Sequence, residues 1–257
     1  MLIGVCTGNN PENIKKVKNA GFDYAELNCK AIAASTQEEL ATLKEIGLPF
    51  LAANCFIDLA VVGEERDDAA LREYIDTMMK KGNYLGVKTM VYGSSGSREV
   101  PSNMTKKEAW VQVASFLRDI VAPACEKYDI TVAIEPLRER ECNCINTVKE
   151  GIEIAKMVNH PRITVLADVF HMYEQGDSLE AIASYPLMSH AHTSNPDGRP
   201  EREGRYYPKK SDKFNQDLFI LPCIEAGIEK CSIEANVIDL EKDLADAFEV
   251  LKKYRNA

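Results

Sequence analysis

Four residues that could bind a metal ion end four successive apolar segments in the second half of the chain. They are, in chain order, Glu135 in TVAIEP, Asp168 in VLADVFH, His192 in SHAHT and Glu234 in CSIEAN. A carboxylate within an apolar strand costs free energy unless it is paired or bound to a cation. Three carboxylates and one imidazole suit a divalent ion such as Mn²⁺, Mg²⁺, Co²⁺ or Zn²⁺. We therefore predict that these four residues bind one divalent metal ion.

Each of these residues also has an ordinary explanation when it is taken alone. A glutamate or aspartate at a strand end is often a surface or salt-bridge residue, and a histidine is often a hydrogen-bonded core residue. The repetition favours the metal site, because the four residues occur at equivalent positions of successive segments. Alternation along a strand places Glu135 on the face of Ala133 and His192 on the face of His190. We predict that His190 lies inside the sheet beside the site and is not a ligand.

Short apolar segments alternate with longer amphipathic segments along the whole chain. The alternation predicts strands at 2–6, 24–28, 50–55, 89–93, 131–137, 163–169, 188–194 and 231–236. It predicts helices at 11–20, 36–46, 68–85, 106–128, 146–158, 179–184, 216–226 and 240–254. We find no linker or shift in composition that would divide the chain.

This order predicts an α/β fold, a single-domain (β/α)₈ TIM barrel spanning residues 1–257. Alternating strands and helices form parallel sheets, and eight repeats suit a closed barrel better than an open sheet. A doubly wound dinucleotide-binding sheet would show GxGxxG after the first strand, but GNNP follows here at 8–11. In a barrel the carboxyl ends of the strands surround the active site, which is where the four candidate ligands fall.

The composition excludes several classes of protein. The chain has 31 Lys and Arg against 40 Asp and Glu, a net charge of -9, so its overall field offers no reason to bind nucleic acid. No apolar stretch reaches the roughly 20 residues of a membrane helix, and the beginning lacks the features of a signal peptide. We expect a cytoplasmic protein. The eight cysteines include no CxxC pair and are expected to be reduced thiols rather than zinc ligands.

The chain resembles the xylose isomerase-like barrel superfamily of sugar isomerases and epimerases, which includes ketose epimerases that act at carbon three. The resemblance covers essentially the whole chain and is carried by AIEPL at 133–137 followed by Asn146 and Thr147, DVFHM at 168–172 and HAHT at 190–193. It implies that the four candidate ligands bind one divalent metal ion, with Mn²⁺ as the first choice. It also implies that substrate hydroxyls are held by Glu141, His171 and Arg199.

The function implied by this resemblance is a divalent-metal-dependent sugar or sugar-phosphate epimerase or isomerase. Glu135 and Glu234 would remove and return a proton through a metal-bound enediolate. A keto-inositol-type dehydratase on the same scaffold and a catalytically silent sugar-binding barrel are the alternatives. A multi-metal nuclease lacks ligands, because all four histidines lie at or after position 160. The expected partner is a small sugar or sugar phosphate, and the oligomeric state is left open, with a homo-oligomer among the options.

A long basic loop follows the seventh predicted strand, at 195–214. It carries two tyrosines, Tyr206 and Tyr207, and five cations, which are Arg199, Arg202, Arg205, Lys209 and Lys210. One interpretation is a solvated or subunit-contact loop, and the other is a lid that favours an anionic substrate. In the first half of the chain, we expect Cys6, Cys55 and Gly93 to shape the specificity of the pocket.

Overall fold

Eight parallel strands close into a barrel in the order in which they occur in the chain. The structure is a computed structural model that describes residues 1–197 and 204–255. The strands are β1 (Leu2–Cys6), β2 (Tyr24–Asn28), β3 (Ala52–Asn54), β4 (Thr89–Tyr92), β5 (Thr131–Ile134), β6 (Ile163–Asp168), β7 (Met188–Thr193) and β8 (Lys230–Ile233). Strand β8 pairs with β1 and completes the barrel. The predicted (β/α)₈ barrel is therefore confirmed.

Helices cover the outside of the barrel between successive strands. They are α1 (Pro11–Asn19), α2 (Cys29–Ala34), α3 (Gln37–Glu45), α4 (Asp68–Leu85), α5 (Lys106–Phe116), α6 (Ala122–Tyr128), α7 (Val148–Val158), α8 (Val169–Gln175), α9 (Asp217–Glu225) and α10 (Leu240–Leu251). Three of them begin with a capping box, at Thr36, Thr105 and Thr147, in which the threonine side chain and a glutamate bond reciprocally to the backbone. None of the helices in the described ranges is both long and apolar enough to cross a membrane.

The structure differs from the sequence prediction at several element boundaries. Helices α2 and α8 were not expected, because six and seven residues are too few to show a helical period. The predicted helix 106–128 is interrupted by a π-helical turn at Leu117–Val121, just before Pro123, which has no N–H to donate. The predicted helix 179–184 is only a 3₁₀ turn, Glu180–Ser184. Strands β3, β5 and β8 end earlier than predicted, so Glu135 and Glu234 lie just beyond their strands.

The middle of the barrel is filled by side chains. Val91, Ala133 and Leu166 form a buried apolar cluster there. Gly4 on β1 leaves room for the ring of Tyr24 on β2, since a Cβ at Gly4 would lie 2.3 Å from that ring. With the middle filled, the side chains one step further along the strands face the open carboxyl end of the barrel.

Candidate metal and active site

The four predicted ligands converge at the carboxyl end of the barrel. Each of Glu135, Asp168, His192 and Glu234 offers one ligand atom within 4.8 Å of the others. The Nδ1 of His192 lies 3.1 Å from Glu135 Oε1, 3.0 Å from Glu234 Oε2 and 3.7 Å from Asp168 Oδ2. His192 is completely buried, and the three carboxylates are buried or nearly so. One imidazole nitrogen therefore faces an oxygen of each carboxylate.

Asp168 is oriented by the helix that follows it. Its Oδ1 accepts hydrogen bonds from the backbone N–H groups of Phe170, at 2.7 Å, and His171, at 3.1 Å, and so caps α8. Its Oδ2 remains directed at His192 and at Arg205. Burial would raise the pKa of Asp168, but the electrostatic interactions with His171 and Arg205 outweigh this effect and hold the pKa below its usual range.

The ring nitrogen of His192 that faces away from the cluster bonds to the carboxylate of Glu26, which the sequence analysis did not identify. Glu26 Oε1 lies 3.0 Å from His192 Nε2, and Glu26 Oε2 lies 2.9 Å from His190 Nε2. Glu26 and both histidines are completely buried. The structure thus places His190 inside the barrel beside the site. The signal for Glu26 was present, because it stands in the buried strand YAELN as Glu135 stands after TVAI.

The charges at this site perturb its titratable groups strongly. Burial would raise the pKa of Glu234, but Arg205 and His192 outweigh it and lower that pKa. Burial raises the pKa of Glu135, and the charge of Glu234 raises it further. Burial would lower the pKa of His192, but Glu26 and Glu234 outweigh it and raise that pKa well above its ordinary value. The cluster is therefore anionic and attracts positive charge.

The donor set fits a divalent ion. Among the described residues, the buried Oε2 of Glu234 has no hydrogen-bond partner of good geometry, although it forms an ion pair with Arg205, so its hydrogen-bonding capacity is left for a cation. Carboxylate oxygens with one imidazole nitrogen suit Mn²⁺, Co²⁺ or Zn²⁺. The hydrogen bond from the far side of His192 is typical of metal-bound histidines. The structure therefore supports a metal site at these residues, and the identity of the metal stays a prediction.

Arg205 extends from the basic loop into the site. Its Nη1 lies 2.9 Å from both Asp168 Oδ2 and Glu234 Oε2. The loop is fixed at this point, since Tyr206 pairs with Asn195 and the carbonyl of Arg205 accepts from the N–H of Asn236, at 2.9 Å. Burial would lower the pKa of Arg205, but the charges of Glu234 and Asp168 outweigh it and raise that pKa.

Two further predictions concern the same loop. Arg199, expected to hold a substrate hydroxyl, lies outside the described residues, as does Arg202. Lys210 points away from the site and pairs with Glu249, 3.3 Å away, on the outside of the barrel. Of the loop cations that the structure describes, Arg205 is thus the one placed at the carboxylate cluster.

Arg138 connects the other two predicted substrate residues. Its backbone N–H donates to Nδ1 of His171, at 3.2 Å, so the neutral ring carries its proton on Nε2. Its side chain donates to Glu141 Oε1, at 2.7 Å, and lies over the ring of Phe170. His171 belongs to helix α8. Glu141 and His171 both line the cavity that opens onto the cluster.

This cavity has a volume of about 250 Å³ and is also lined by residues of the first half of the chain. Asn54 donates to Glu234 Oε1, at 3.0 Å, and Cys55 after it has a left-handed backbone with φ of 53°. Burial raises the pKa of the Cys55 thiol to about 11, so it stays protonated. Gly93 makes room for a carboxylate, because a Cβ there would lie 1.9 Å from Glu135 Oε2. Two of the three expected specificity residues, Cys55 and Gly93, thus line the cavity.

The fold and the site together define a class of protein: a (β/α)₈ barrel with three carboxylates and a histidine gathered at the carboxyl ends of strands β5 to β8. The model of the xylose isomerase-like TIM barrel family matches residues 14–253. The chain belongs to this family.

The relatives found by sequence are sugar isomerases and epimerases. A D-psicose 3-epimerase of Agrobacterium fabrum is 25% identical over 205 residues, which cover 75% of this chain and 70% of that enzyme. An inosose isomerase of Bacillus licheniformis is 29% identical over 127 residues, 48% of this chain and 44% of that enzyme. The predicted class of enzyme, an isomerase, is confirmed by these relatives.

Solved structures share the whole fold. A D-psicose 3-epimerase determined in the presence of D-fructose has a TM-score of 0.82 at 20% identity and covers 100% of this chain and 99% of that one. The 3-keto-D-glucoside 4-epimerase YcjR from E. coli has a TM-score of 0.81 at 21% identity, with 100% of both chains covered. The IOLI protein with a bound zinc atom has a TM-score of 0.76 at 18% identity and covers 100% of this chain and 98% of that one.

Proposed function

We propose that this chain is a divalent-metal-dependent epimerase or isomerase of a ketose sugar. The observation that carries the proposal is the position of Glu135 and Glu234, whose oxygens lie 3.1 and 3.0 Å from the same nitrogen of His192 beneath a polar cavity. They follow strands β5 and β8, which are three strands apart, so they approach that cavity from different sides.

The metal would be held by Glu135, Asp168, His192 and Glu234. When bound, a divalent ion polarises a substrate carbonyl and a neighbouring hydroxyl and so acidifies the carbon that bears the hydroxyl. The zinc atom bound to the structurally similar IOLI protein supports a metal in this barrel. Mn²⁺ remains our first choice for this chain.

Glu135 and Glu234 do the proton chemistry in this proposal. One carboxylate removes the proton from the acidified carbon, and the other returns a proton to the opposite face, which inverts the carbon. Return of the proton to the neighbouring carbon instead gives isomerisation. Epimerisation is favoured because a D-psicose 3-epimerase is the relative matched over 75% of this chain.

The remaining cavity residues hold the sugar. His171 presents its Nε2–H as a donor, and Glu141 presents carboxylate oxygens to hydroxyl groups. Arg205 and Lys210 already have acidic partners, which favours a neutral ketose over a phosphorylated one. The role of Arg199 stays a prediction.

The test is proton exchange at the substrate carbon in D₂O. A panel of ketoses, their phosphates and a keto-inositol is incubated with the Mn²⁺-loaded protein, and NMR detects the epimer, the isomer and the deuterium. We expect Glu135→Gln and Glu234→Gln each to lower turnover by about 10²–10⁴-fold, the usual contribution of a general acid or base. Full activity and full exchange in both variants would exclude the assigned roles. A product that has lost water and absorbs in the ultraviolet would instead identify a dehydratase. Mn²⁺ binding without any reaction across the panel would favour the alternative of a catalytically silent sugar-binding barrel.

A further inference from the structure

We propose that Glu26 is a positioning residue that fixes His192 as a metal ligand and strengthens the binding of the divalent ion. This inference rests on the metal site of the proposed function. It concerns a residue on β2, a strand that supplies none of the four proposed ligands.

The orientation of His192 follows from its bond to Glu26. The ring has two nitrogens, and Glu26 Oε1 occupies the hydrogen-bond position at Nε2, 3.0 Å away. The other nitrogen, Nδ1, is therefore directed at the oxygens of Glu135 and Glu234. A hydrogen bond of this kind sets both the tautomer and the angle of a metal-bound imidazole and increases its basicity.

Glu26 is itself held from several directions. Its Oε2 accepts from Ser232 Oγ and lies 2.9 Å from His190 Nε2. Ser232 Oγ in turn lies 2.7 Å from the hydroxyl of Tyr24. All of these side chains are completely buried, so the carboxylate cannot turn away to water.

Two other roles fit the contacts less well. A proton relay would have to continue beyond His190, but among the described residues its Nδ1 has no hydrogen-bond partner. A separate metal site is suggested by Cys6, Glu26 and His192, whose ligand atoms lie within 4.8 Å of one another. Both oxygens of Glu26 and the Nε2 of His192 are, however, already engaged in hydrogen bonds with each other and with their neighbours. A positioning role for Glu26 requires none of these hydrogen bonds to change.

The substitution Glu26→Gln removes the negative charge of the side chain while nearly preserving its shape. The amide oxygen still accepts from Nε2 of His192, and the amide group still fits between the two histidines. We expect the dissociation constant for Mn²⁺, measured by calorimetry, to rise about 10- to 100-fold while the stoichiometry stays at one ion per chain. The absorption spectrum of bound Co²⁺ should also change, because it reports the geometry of the ligands.

Thr164→Val is the matched control. Thr164 is a buried residue of β6 that precedes Leu166 by two residues. Its hydroxyl bonds to Ser189 Oγ, 2.6 Å away, and to none of the four proposed ligands. It therefore tests what the loss of a buried barrel hydrogen bond does by itself. Its Mn²⁺ affinity and Co²⁺ spectrum should match those of the unmodified chain.

The outcomes separate this inference from the proposed function. If the unmodified chain binds no Mn²⁺, the metal site itself is wrong. If the unmodified chain binds Mn²⁺ and Glu26→Gln binds it equally well, only the role of Glu26 is wrong. A thiolate-to-cobalt charge-transfer band would identify Cys6 as a ligand and would also overturn the inference. Should Glu26→Gln fail to fold, Glu26→Asp is the second variant, because its shorter side chain keeps the negative charge but moves it away from His192. An unchanged Mn²⁺ affinity in Glu26→Asp would show that Glu26 does not position His192.

Discussion

Arg205 places a positive charge on two of the oxygens that a metal would use. Its Nη1 lies 2.9 Å from Asp168 Oδ2 and 2.9 Å from Glu234 Oε2. Two unit charges about 4 Å apart interact by roughly 4 kcal/mol at an effective dielectric constant of about 20, so a cation here opposes a second cation. The arginine and the metal therefore compete electrostatically for the same carboxylates.

We predict that Arg205→Met binds Mn²⁺ more tightly than the unmodified chain, by about tenfold or more, because this repulsion is removed. Isothermal titration with Mn²⁺ measures the difference. Arg205→Lys keeps the charge and serves as the control, with an affinity close to that of the unmodified chain. Weaker Mn²⁺ binding in Arg205→Met would show that the arginine organises the carboxylates rather than opposing the metal.

The four residues of the candidate metal site could be proposed one by one from the sequence, whereas the residues that support them could not. Glu135, Asp168 and His192 share a position at the end of a strand, and a shared position is visible in a sequence. Glu26 bonds to two histidines that are 164 and 166 residues away, and no local pattern connects residues so far apart. The feature of the sequence that could have indicated Glu26 is an acidic residue within an otherwise apolar strand.

Gly93, which follows β4, makes room for Glu135, the proposed acid–base residue just after β5. A Cβ at this position would come within 1.9 Å of Glu135 Oε2 and 3.0 Å of its carboxyl carbon. The obstructing atoms are the end of a side chain and not backbone, so the barrel can keep its shape while the carboxylate moves.

We predict that Gly93→Ala loses about 100-fold in kcat/KM with little change in Tm, since a displacement of about 1 Å at a reacting group has this cost. Steady-state kinetics and thermal melting of the same preparation measure both. Gly96→Ala is the control, because no atom lies within 4 Å of a Cβ there. A Gly93→Ala variant with normal kinetics would mean that Glu135 tolerates the displacement.

Elements with strong local signals were predicted well, and short ones were not. Helix α4 matches its predicted range 68–85, because Asp67 caps its beginning and Gly86 ends it in the left-handed conformation. Helix α8 has seven residues and follows directly on β6, so its sequence reads as a continuation of the strand. The position of Arg138 between His171 and Glu141 depends on how the loop after β5 folds, which periodicity does not describe.

The proposed metal would join four consecutive strands of the barrel. The four proposed ligands lie at or just after the ends of β5, β6, β7 and β8. An ion that binds only the folded state stabilises it by an amount that grows with its concentration relative to its dissociation constant.

We predict that removing the metal with a chelator leaves the barrel folded but lowers Tm. At a Mn²⁺ concentration 100 times its dissociation constant, the ion adds about 2.7 kcal/mol, or roughly 5–11 °C for a chain of this size. Differential scanning calorimetry with and without Mn²⁺ measures the shift. Asp168→Asn, which loses one anionic ligand, should show a much smaller shift. Equal shifts in the two proteins would indicate that Mn²⁺ binds elsewhere.

The origin of Glu26 on β2 has a consequence for how the molecule acquires its site. The part of the chain from β5 to just after β8 contains all four proposed ligands, but the carboxylate that bonds to Nε2 of His192 comes from β2, and the amide that bonds to Glu234 comes from Asn54 on β3. A partly folded chain in which only strands β5 to β8 have assembled would therefore have the four proposed ligands but not the two side chains that support them. The proposed metal site would be complete only when the first three strands join the last four and the barrel closes, so uptake of a metal ion during refolding would time that closure.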